Sequence, residues 1–295
     1  MPFTSKLKYA FLSVKYCKNW RHVILDANKH KPADMILRSD IKLQAVKNPT
    51  ALLQLLNHGW EIDDHETKFI TLRNRNNIKL KCRLREGFDL GHVVEIFERD
   101  DYGQSLQDAT VIDVGASTAD SSIYFVTKGA RDVYGIEPMK ESYDIALNNI
   151  KINNLENTVH LTNGALSSKS GKIELNVSSR DPNANSIDPT EAVKKMGINF
   201  DSRRIVEAVS LSDIINNHNL DKVDLLKMDC EGCEYEVFRN IDDETISRID
   251  NIILEFHDGL QFLGEFLEKK GYNVTYNHST GLGLLKASRK HISTQ

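Results

Sequence analysis

The stretch Val111-Ile-Asp-Val-Gly-Ala-Ser-Thr-Ala-Asp-Ser-Ser122 decides the fold of this chain. It places an acid, Asp113, near the end of an apolar strand, followed by a turn of small residues and a helix start. A second apolar run, Val133-Tyr-Gly-Ile-Glu-Pro138, ends in Glu137, roughly twenty residues after the turn. This spacing is typical of a βαβ unit that binds an adenosine-containing ligand. The alternative, a helix cap and a surface acid, is disfavoured because an apolar strand precedes each acid.

The turn itself discriminates between adenosine ligands. A dinucleotide site uses G-x-G-x-x-G so that bare backbone can approach a pyrophosphate at a helix N-terminus. Here only Gly115 is present, Ser117 and Ala119 stand where further glycines would be, and Asp113 would repel phosphates. S-adenosyl-L-methionine fits better, because it has no phosphate and its sulfonium and ammonium are attracted to an anionic strand end. Glu137 would then accept hydrogen bonds from the two ribose hydroxyls.

Composition narrows the class of protein. The chain has 295 residues, of which 40% are hydrophobic, enough for one sizeable core and an appendage. Its net charge of -4 and pI near 6.2 lack the basic footprint of a nucleic-acid-binding protein, so no nucleic-acid partner is expected. No apolar run approaches the roughly 18 residues of a membrane span, and Lys15 and Lys18 interrupt any signal-peptide core. We expect a cytoplasmic protein, and the oligomeric state stays open.

The chain is predicted to have two parts. Residues 1–108 would form a cap of helices and a β-hairpin, and residues 109–295 the ligand-binding domain. Apolar residues at near-helical steps predict helices from about Thr4 to Trp60. The hairpin is predicted at Phe69–Leu72 and Ile78–Leu84, on either side of a polar turn.

The first part of the cap is basic. Seven lysines and arginines precede Pro32, and Asp26 is the only acid among them. This arm could lie on an anionic membrane surface or contact a phosphorylated substrate. The alternative is an ordinary solvated helix face that packs on the rest of the protein.

From Ala109 onward strands and helices alternate, which predicts a parallel sheet covered on both faces. The predicted core strands are 111–114, 133–136, 159–161, 223–229 and 252–257. Two extra strands, 173–177 and 206–209, flank a polar stretch at 178–205 that is predicted to be a substrate-selecting lid. Tyr272–Tyr276 and Leu282–Lys286 are predicted to close the sheet as an antiparallel hairpin.

Two runs near the end of the chain concentrate ionisable residues. Lys227 and Asp229 alternate on one side of a strand, and Glu255 and His257 do so on the next. Carboxyl ends of adjacent strands lie beside the switch point where ligands bind in open α/β sheets. Such groups need partners or a function, and Lys227 is predicted to neutralise the carboxylates.

These motifs together resemble the FkbM family of S-adenosylmethionine-dependent methyltransferases. The resemblance covers roughly residues 86–287 and rests on the runs 113–117, 135–138, 163–166, 224–234 and 255–257. It implies an α/β fold of the class I methyltransferase (Rossmann-like) type, with a seven-stranded, mostly parallel sheet and an antiparallel closing hairpin. It also implies methylation of a hydroxyl on a sugar, glycolipid or small natural product, and hence a small-molecule or carbohydrate-bearing acceptor. Ser117 and Ala119 depart from the family's usual Asn and Gly.

The resemblance and the strand-end positions assign the site residues. The predicted cofactor-binding residues are Asp113, Gly115, Ala116, Ser117, Asp120, Glu137, Pro138, Asn163, Ala165 and Asp229. An alcohol needs a general base, and His257 is preferred because its unperturbed pKa of ~6.5 is near neutral pH. Asp229 is the second choice, and a purely structural His257 is the alternative. Glu231 and Glu255 could orient the histidine or, with Asp229, hold a divalent ion, although no metal is predicted.

The remaining alternatives are few. Cys230 and Cys233 have C-x-x-C spacing, which could be a redox or zinc half-site, but no second Cys/His pair accompanies them, so we expect two small buried apolar side chains. A noncatalytic S-adenosylmethionine-binding domain that regulates a partner stays open. A nicotinamide-dependent oxidoreductase is disfavoured by the missing glycines and by Asp113.

Overall fold

The computed structural model describes residues 3–29, 31–103, 105–178, 185 and 200–290. The chain divides into two compact units. The first comprises Met1–Gly103 with Lys151–Asn153, and the second comprises Gln104–Ile150 with Asn154–Gln295. The division thus falls a few residues before the predicted boundary between residues 108 and 109. Most of the predicted lid lies outside the described residues, although 202–205 form part of a strand.

The first unit mixes helices with two small antiparallel sheets. Its elements are α1 Phe3–Tyr16, α2 Trp20–Asn28, β1 Ala33–Ile36, β2 Lys42–Val46, α3 Pro49–Asn57, β3 Glu61–His65, β4 Phe69–Arg73, β5 Lys79–Arg83 and α4 Asp89–Val93, which continues as a π-helical turn at Val94–Glu98. β1 pairs with β2, and β3, β4 and β5 form one sheet in that order. The hairpin prediction is confirmed as β4 and β5, with β3 added at its edge.

The prediction of helices from Thr4 to Trp60 is right at both ends and wrong in the middle. The segment between α2 and α3 forms β1 and β2 instead. In β1, Ala33 and Met35 are buried while Asp34 between them is exposed, a period of two that suits a strand. A strand of four residues is too short to stand out against the helical pattern on either side.

The second unit is built on a seven-stranded sheet. Its strands are β6 Thr110–Val114, β7 Asp132–Glu137, β8 Val159–Asn163, β12 Val223–Met228, β13 Ile249–Phe256, β14 Tyr272–Tyr276 and β15 Gly283–Arg289. The order across the sheet is β14-β15-β13-β12-β6-β7-β8. Neighbours are parallel except β15, which is antiparallel to both β13 and β14. The predicted class I methyltransferase fold, with its closing hairpin, is confirmed.

Further elements surround this sheet. The helices are α5 Asp120–Thr127, α6 Lys140–Ile152, α7 Leu211–Asn217, α8 Cys233–Asn240, α9 Asp243–Ser247 and α10 Leu263–Lys269. A smaller sheet has the order β10-β11-β9, with β9 Ala165–Leu166, β10 Gly171–Val177 and β11 Ser202–Val209. The two extra strands predicted around the lid correspond to β10 and β11. Within the described ranges, no helix is long and apolar enough to cross a membrane.

The core of the second unit fixes the strand ends that form the site. All five residues of β6 are buried, as expected for a parallel strand covered on both faces. The largest fully buried side chains here include Phe125, Phe238, Phe256 and Tyr272. Each such aromatic side chain contributes roughly 1.5–3 kcal/mol by burial. The direction of the chain crossings reverses between β6 and β12, so a ligand crevice is expected at their carboxyl ends.

Candidate cofactor and catalytic site

The turn after β6 has a left-handed backbone at three positions. φ is +74° at Gly115, +45° at Ser117 and +62° at Ala119. A Cβ on Gly115 would lie 1.9 Å from the carbonyl oxygen of Asp229, so only glycine fits there. Ser117 and Ala119 adopt conformations that Asn and Gly take with less strain. Both departures from the family pattern are therefore accommodated by the same left-handed turn.

Asp113 lies beneath this turn and has no exposure to solvent. Its Oδ2 accepts hydrogen bonds from the hydroxyls of Ser121 at 2.7 Å and Ser122 at 2.6 Å. Its Oδ1 lies 3.2 Å from the Nζ of Lys227. The carboxylate therefore ties β6 to the start of α5 and to β12. Its charge faces Lys227 inside the fold, and the attraction of this acid for the cofactor stays a prediction.

Lys227 joins the same two strands. Its ammonium donates to the backbone oxygens of Val114 at 3.1 Å and Gly115 at 3.0 Å, besides facing Asp113. In the strand register Lys227 stands opposite Asp113, and its ammonium faces that acid. Its predicted effect on the carboxylates beyond β12 stays a prediction. The buried ion pair sets the backbone of the turn on which a cofactor would rest.

Glu137 approaches the turn from the end of β7. Its Oε2 accepts a hydrogen bond from the backbone N–H of Ser117 at 2.9 Å, and its Oε1 accepts one from Met139 at 2.8 Å. A carboxylate has about four acceptor sites, so both oxygens can also accept hydrogen bonds from the ribose hydroxyls. Asn163 donates its side-chain amide to the backbone oxygens of Glu137 at 2.9 Å and Pro138 at 3.2 Å, which fixes this strand end. These groups suit a ribose, and their contact with the cofactor stays a prediction.

The other predicted cofactor residues are small or buried. Ala116 is fully buried and Ala165 nearly so, and they would contribute through their backbone. Asp120 is buried at the first position of α5, where a carboxylate suits the positive end of the helix dipole. Its Oδ1 accepts a hydrogen bond from the backbone N–H of Ser121 at 3.0 Å. This arrangement begins the helix directly after the turn.

The four predicted catalytic residues meet at the ends of β12 and β13. The Nε2 of His257 lies 3.3 Å from a carboxylate oxygen of Glu231, 3.7 Å from Asp229 and 3.9 Å from Glu255. The histidine side chain is only 5% exposed, while the three carboxylates are 33%, 22% and 35% exposed in the order Asp229, Glu231 and Glu255. We call these four residues the acidic cluster. The imidazole of the acidic cluster is buried, and its carboxylates are partly exposed to solvent.

Glu234 orients the histidine and was not assigned a role from the sequence. It is fully buried at the start of α8, and its Oε1 accepts hydrogen bonds from the Nδ1 of His257 at 3.2 Å and from the backbone N–H of the same residue at 3.1 Å. Its Oε2 accepts one from Gly232 at 2.9 Å. This pairing directs Nε2 toward the acidic cluster. Glu234 stands between the apolar residues Cys233 and Tyr235, and an ionisable residue that is buried needs a partner. This position in the sequence is the feature that could have indicated its role.

Electrostatics within the acidic cluster changes the protonation of two groups. Burial lowers the pKa of His257, but the hydrogen bond to Glu234 and the charges of Glu231, Glu234 and Asp229 outweigh it and raise the pKa to about 10. Burial raises the pKa of Glu231 to about 7, even though the charge of His257 opposes this. At neutral pH the free protein therefore holds His257 as a cation. The premise that this histidine has an ordinary pKa near 6.5 is wrong.

Part of the acidic cluster has the geometry of a metal-ligand set. Asp229, Glu255 and His257 each offer one ligand atom, and these atoms lie within 4.8 Å of one another. Carboxylate oxygens with one imidazole suit ions such as Mn²⁺. The cationic His257 places a positive charge at the same position. Whether a metal assists stays a prediction, with the metal-free form expected.

The loop between Asp229 and α8 differs from expectation at its cysteines. Cys230 and Cys233 form a disulfide, with their Cα atoms 5.5 Å apart, whereas the sequence predicted two separate apolar side chains. Within this loop Glu231 and Gly232 have φ of +55° and +114°. The disulfide closes the loop that carries Glu231. The C-x-x-C spacing is compatible with both packing and a covalent bond, and nothing else in the sequence distinguishes the two.

Comparison with known proteins identifies the family. The family model described as Methyltransferase FkbM domain matches residues 113–274, more than half of the 295 residues. Methyltransferase sdnD of Sordaria araneosa is 27% identical, over 56% of this chain and 74% of that protein. Methyltransferase 1 of Beauveria bassiana is 26% identical, over 57% of this chain and 73% of that protein.

A solved structure gives a more distant comparison. Methyltransferase FkbM from Methylobacillus flagellatus superposes with a TM-score of 0.45 and 15% identity, over 66% of this chain. The match covers 47% of that protein, so this chain spans about half of its length. The match to residues 113–274, on the sheet described above, shows that the chain belongs to the FkbM family of S-adenosyl-L-methionine-dependent methyltransferases.

Proposed function

We propose that this methyltransferase methylates a hydroxyl of a sugar, a glycolipid or a small natural product. S-adenosyl-L-methionine supplies a methyl group on a sulfonium, which a nucleophile can displace without further activation. The acceptor is the harder part, because an alcohol must lose its proton as it attacks. The observation that carries the proposal is the acidic cluster, in which three partly exposed carboxylates surround one buried histidine.

Glu231 is the group best suited to take the proton. Its pKa of about 7 provides both an ionised fraction and useful basicity at neutral pH. His257, as a cation 3.3 Å away, favours the ionised carboxylate. Asp229 is the second choice, as it lies 3.7 Å from the same nitrogen. His257 itself becomes the base only in a form of the enzyme in which its pKa falls well below about 10.

The backbone at Glu231 supports a functional position. Its φ of +55° is unusual for a residue with a side chain, and such a conformation costs on the order of 1–2 kcal/mol. Strain of this kind persists where the surrounding structure enforces it and gathers at functional sites. Here the disulfide of the neighbouring cysteines and the hydrogen bond from Gly232 to Glu234 constrain the loop.

The test compares Glu231→Gln with Glu265→Gln, a carboxylate on α10 that is largely exposed. Methyl transfer from labelled S-adenosylmethionine to the acceptor pool of a cell extract is followed by mass spectrometry. Glu231→Gln is expected to lower transfer by roughly 10²–10⁴-fold, the usual contribution of a general base. Binding of S-adenosylhomocysteine, measured by calorimetry, should change less than about twofold in either variant, and NAD should not bind.

The pH profile separates Glu231 from His257 as the base. With Glu231 as the base, transfer rises through about pH 7 and declines as His257 loses its charge toward about pH 10. With His257 as the base, transfer would keep rising to about pH 10, which would overturn the assignment. If no methylated product forms at any pH while the cofactor binds, the noncatalytic alternative replaces the proposed function.

A further inference from the structure

The first unit exposes an apolar ridge on α1. Leu7, Phe11 and Val14 are spaced at i, i+4 and i+7, so they lie on one face of the helix. They are 57%, 67% and 41% exposed, respectively. The opposite face carries Tyr9 and Leu12, which are buried. The helix therefore packs by one apolar face and presents a second one to solvent.

The surroundings of this ridge are basic. The exposed cations on and next to α1 are Lys6, Lys8, Lys15, Lys18 and Arg21. Lys8 and Lys15 each directly follow a ridge residue in sequence. Lys15 donates to the neutral amide oxygen of Asn57, at 2.9 Å, and Lys18 pairs with Asp40. Asp26 is the only acidic residue before Pro32, so the positive charge of this region is only partly compensated.

The neighbouring helix extends the same kind of surface. Leu25 on α2 is 54% exposed, and Arg21 precedes it by one helical turn. α1 and α2 pack against each other. The two helices thus combine large exposed apolar side chains with cations over a short stretch of chain.

We propose that α1 and α2 form a docking surface for an anionic membrane. An amphipathic helix that inserts its apolar face at the headgroup boundary, with lysines beside it, has this composition. Burial of Leu7 and Phe11 among the acyl chains and attraction of the lysines to an anionic leaflet would act together. The excess of positive charge favours a lipid surface over an apolar protein groove, which would leave the lysines without partners.

The experiment uses the full chain and vesicles of phosphatidylcholine, with or without phosphatidylglycerol. Sedimentation should show binding to the anionic vesicles that weakens as salt is added. Leu7→Ser combined with Phe11→Ser is expected to weaken binding at least tenfold, and so is Lys8→Glu combined with Lys15→Glu. The matched control is Leu147→Ser on α6, an exposed leucine of the second unit that should bind as the wild type does.

A second readout reports insertion directly. Tryptophan introduced as Phe11→Trp should shift its fluorescence to shorter wavelength with anionic vesicles and not with neutral ones. Equal binding to both vesicle types, or binding unaffected by the serine variants, would overturn the proposal. So would self-association that depends on Phe11 without vesicle binding, since the surface would then serve a second copy of the chain. Transfer to a soluble acceptor should be unchanged in these variants, which keeps this test separate from that of the proposed function.

Discussion

Two aspartates at the ends of neighbouring strands have opposite surroundings. Asp113, at the end of β6, is fully buried. It accepts hydrogen bonds from two serine hydroxyls and faces the ammonium of Lys227. Asp229, directly after β12, is one-third exposed and shares a single imidazole, His257, with three other carboxylates, of which Glu234 is buried. The first carboxylate accepts both serine hydrogen bonds on Oδ2, while its Oδ1 faces the ammonium of Lys227 and, within the described residues, accepts no hydrogen bond. The second belongs to a group of partly exposed acids that lie around one imidazole.

This difference indicates that Asp113 stabilises the fold, whereas the acidic cluster at the same edge of the sheet takes part in the chemistry. A buried acid that faces a lysine and accepts two serine hydrogen bonds ties two strands to a helix, and none of its surface is exposed to solvent. A partly exposed group of acids beside one cation can change protonation and accept a ligand. We therefore expect substitutions at the Asp113 pair to change stability and substitutions in the acidic cluster to change activity.

The largest effect is expected at the contact between the two regions. Gly115→Ala would place a Cβ 1.9 Å from the carbonyl oxygen of Asp229, in addition to the strain of φ at +74°. We expect a loss on the order of 5 kcal/mol in the free energy of unfolding, or failure to fold, as strain and overpacking add. Gly281→Ala is the matched control, because φ is +69° there but nothing lies within 4 Å of the added Cβ. Urea unfolding should show only a small loss for Gly281→Ala, and equal losses would disprove the close contact.

The next largest effect is a difference in stability between substitutions of the two aspartates. Asp113→Asn leaves Lys227 buried without its anion, and breaking such a pair costs roughly 3–5 kcal/mol. Asp229→Asn removes one of three carboxylates that repel one another and should change stability by less than about 1 kcal/mol. Thermal and urea unfolding of both variants measure the difference. A larger loss for Asp229→Asn would reverse the proposed division of roles.

The same pair of aspartates shows how far the sequence could predict the site. The motifs predict a seven-stranded, mostly parallel sheet and bring the residues of the acidic cluster together at adjacent strand ends. They do not predict the partner of Lys227, because the alternation within one strand places it beside Asp229, whereas the register with β6 places it opposite Asp113. A register between strands more than a hundred residues apart is not encoded in either strand alone.

Other features could not be predicted from the sequence, because they also depend on contacts between distant segments. The pairing of Glu234 with His257 joins residues 23 positions apart, so neither local sequence contains it. The pKa of the histidine depends on distances to several carboxylates, which only the folded chain fixes. Strand β3 carries Glu61, Asp63 and Asp64 at largely exposed positions, so it has no apolar alternation to recognise. In each case the missing information lies in contacts between segments.

The stability of the acidic cluster should depend on pH in a defined direction. The pKa of His257 is raised from 6.5 to about 10, so the folded protein holds a proton that the unfolded chain releases between these values. Stabilisation by this proton is complete below about pH 6.5 and is lost as the pH rises to about 10. We expect the free energy of unfolding to fall by a few kcal/mol over this window, since one pKa unit corresponds to about 1.4 kcal/mol. His257→Gln should flatten the decline, whereas His22→Gln, at an exposed position on α2, should not.

The smallest effect is expected from removal of metal ions. This experiment tests which cation neutralises each of the two aspartates. Lys227 is a fixed cation for Asp113, while His257 is a titratable one for Asp229. If the charged imidazole occupies the cation position, chelation with EDTA should change methyl transfer less than twofold. Mn²⁺, followed by its electron paramagnetic resonance signal, should then bind His257→Gln more tightly than the wild type, because the substitution removes a competing positive charge from Asp229 and Glu255. Tight Mn²⁺ binding by the wild type that His257→Gln abolishes would make the histidine a ligand instead, and the open acids would then take their cation from solution.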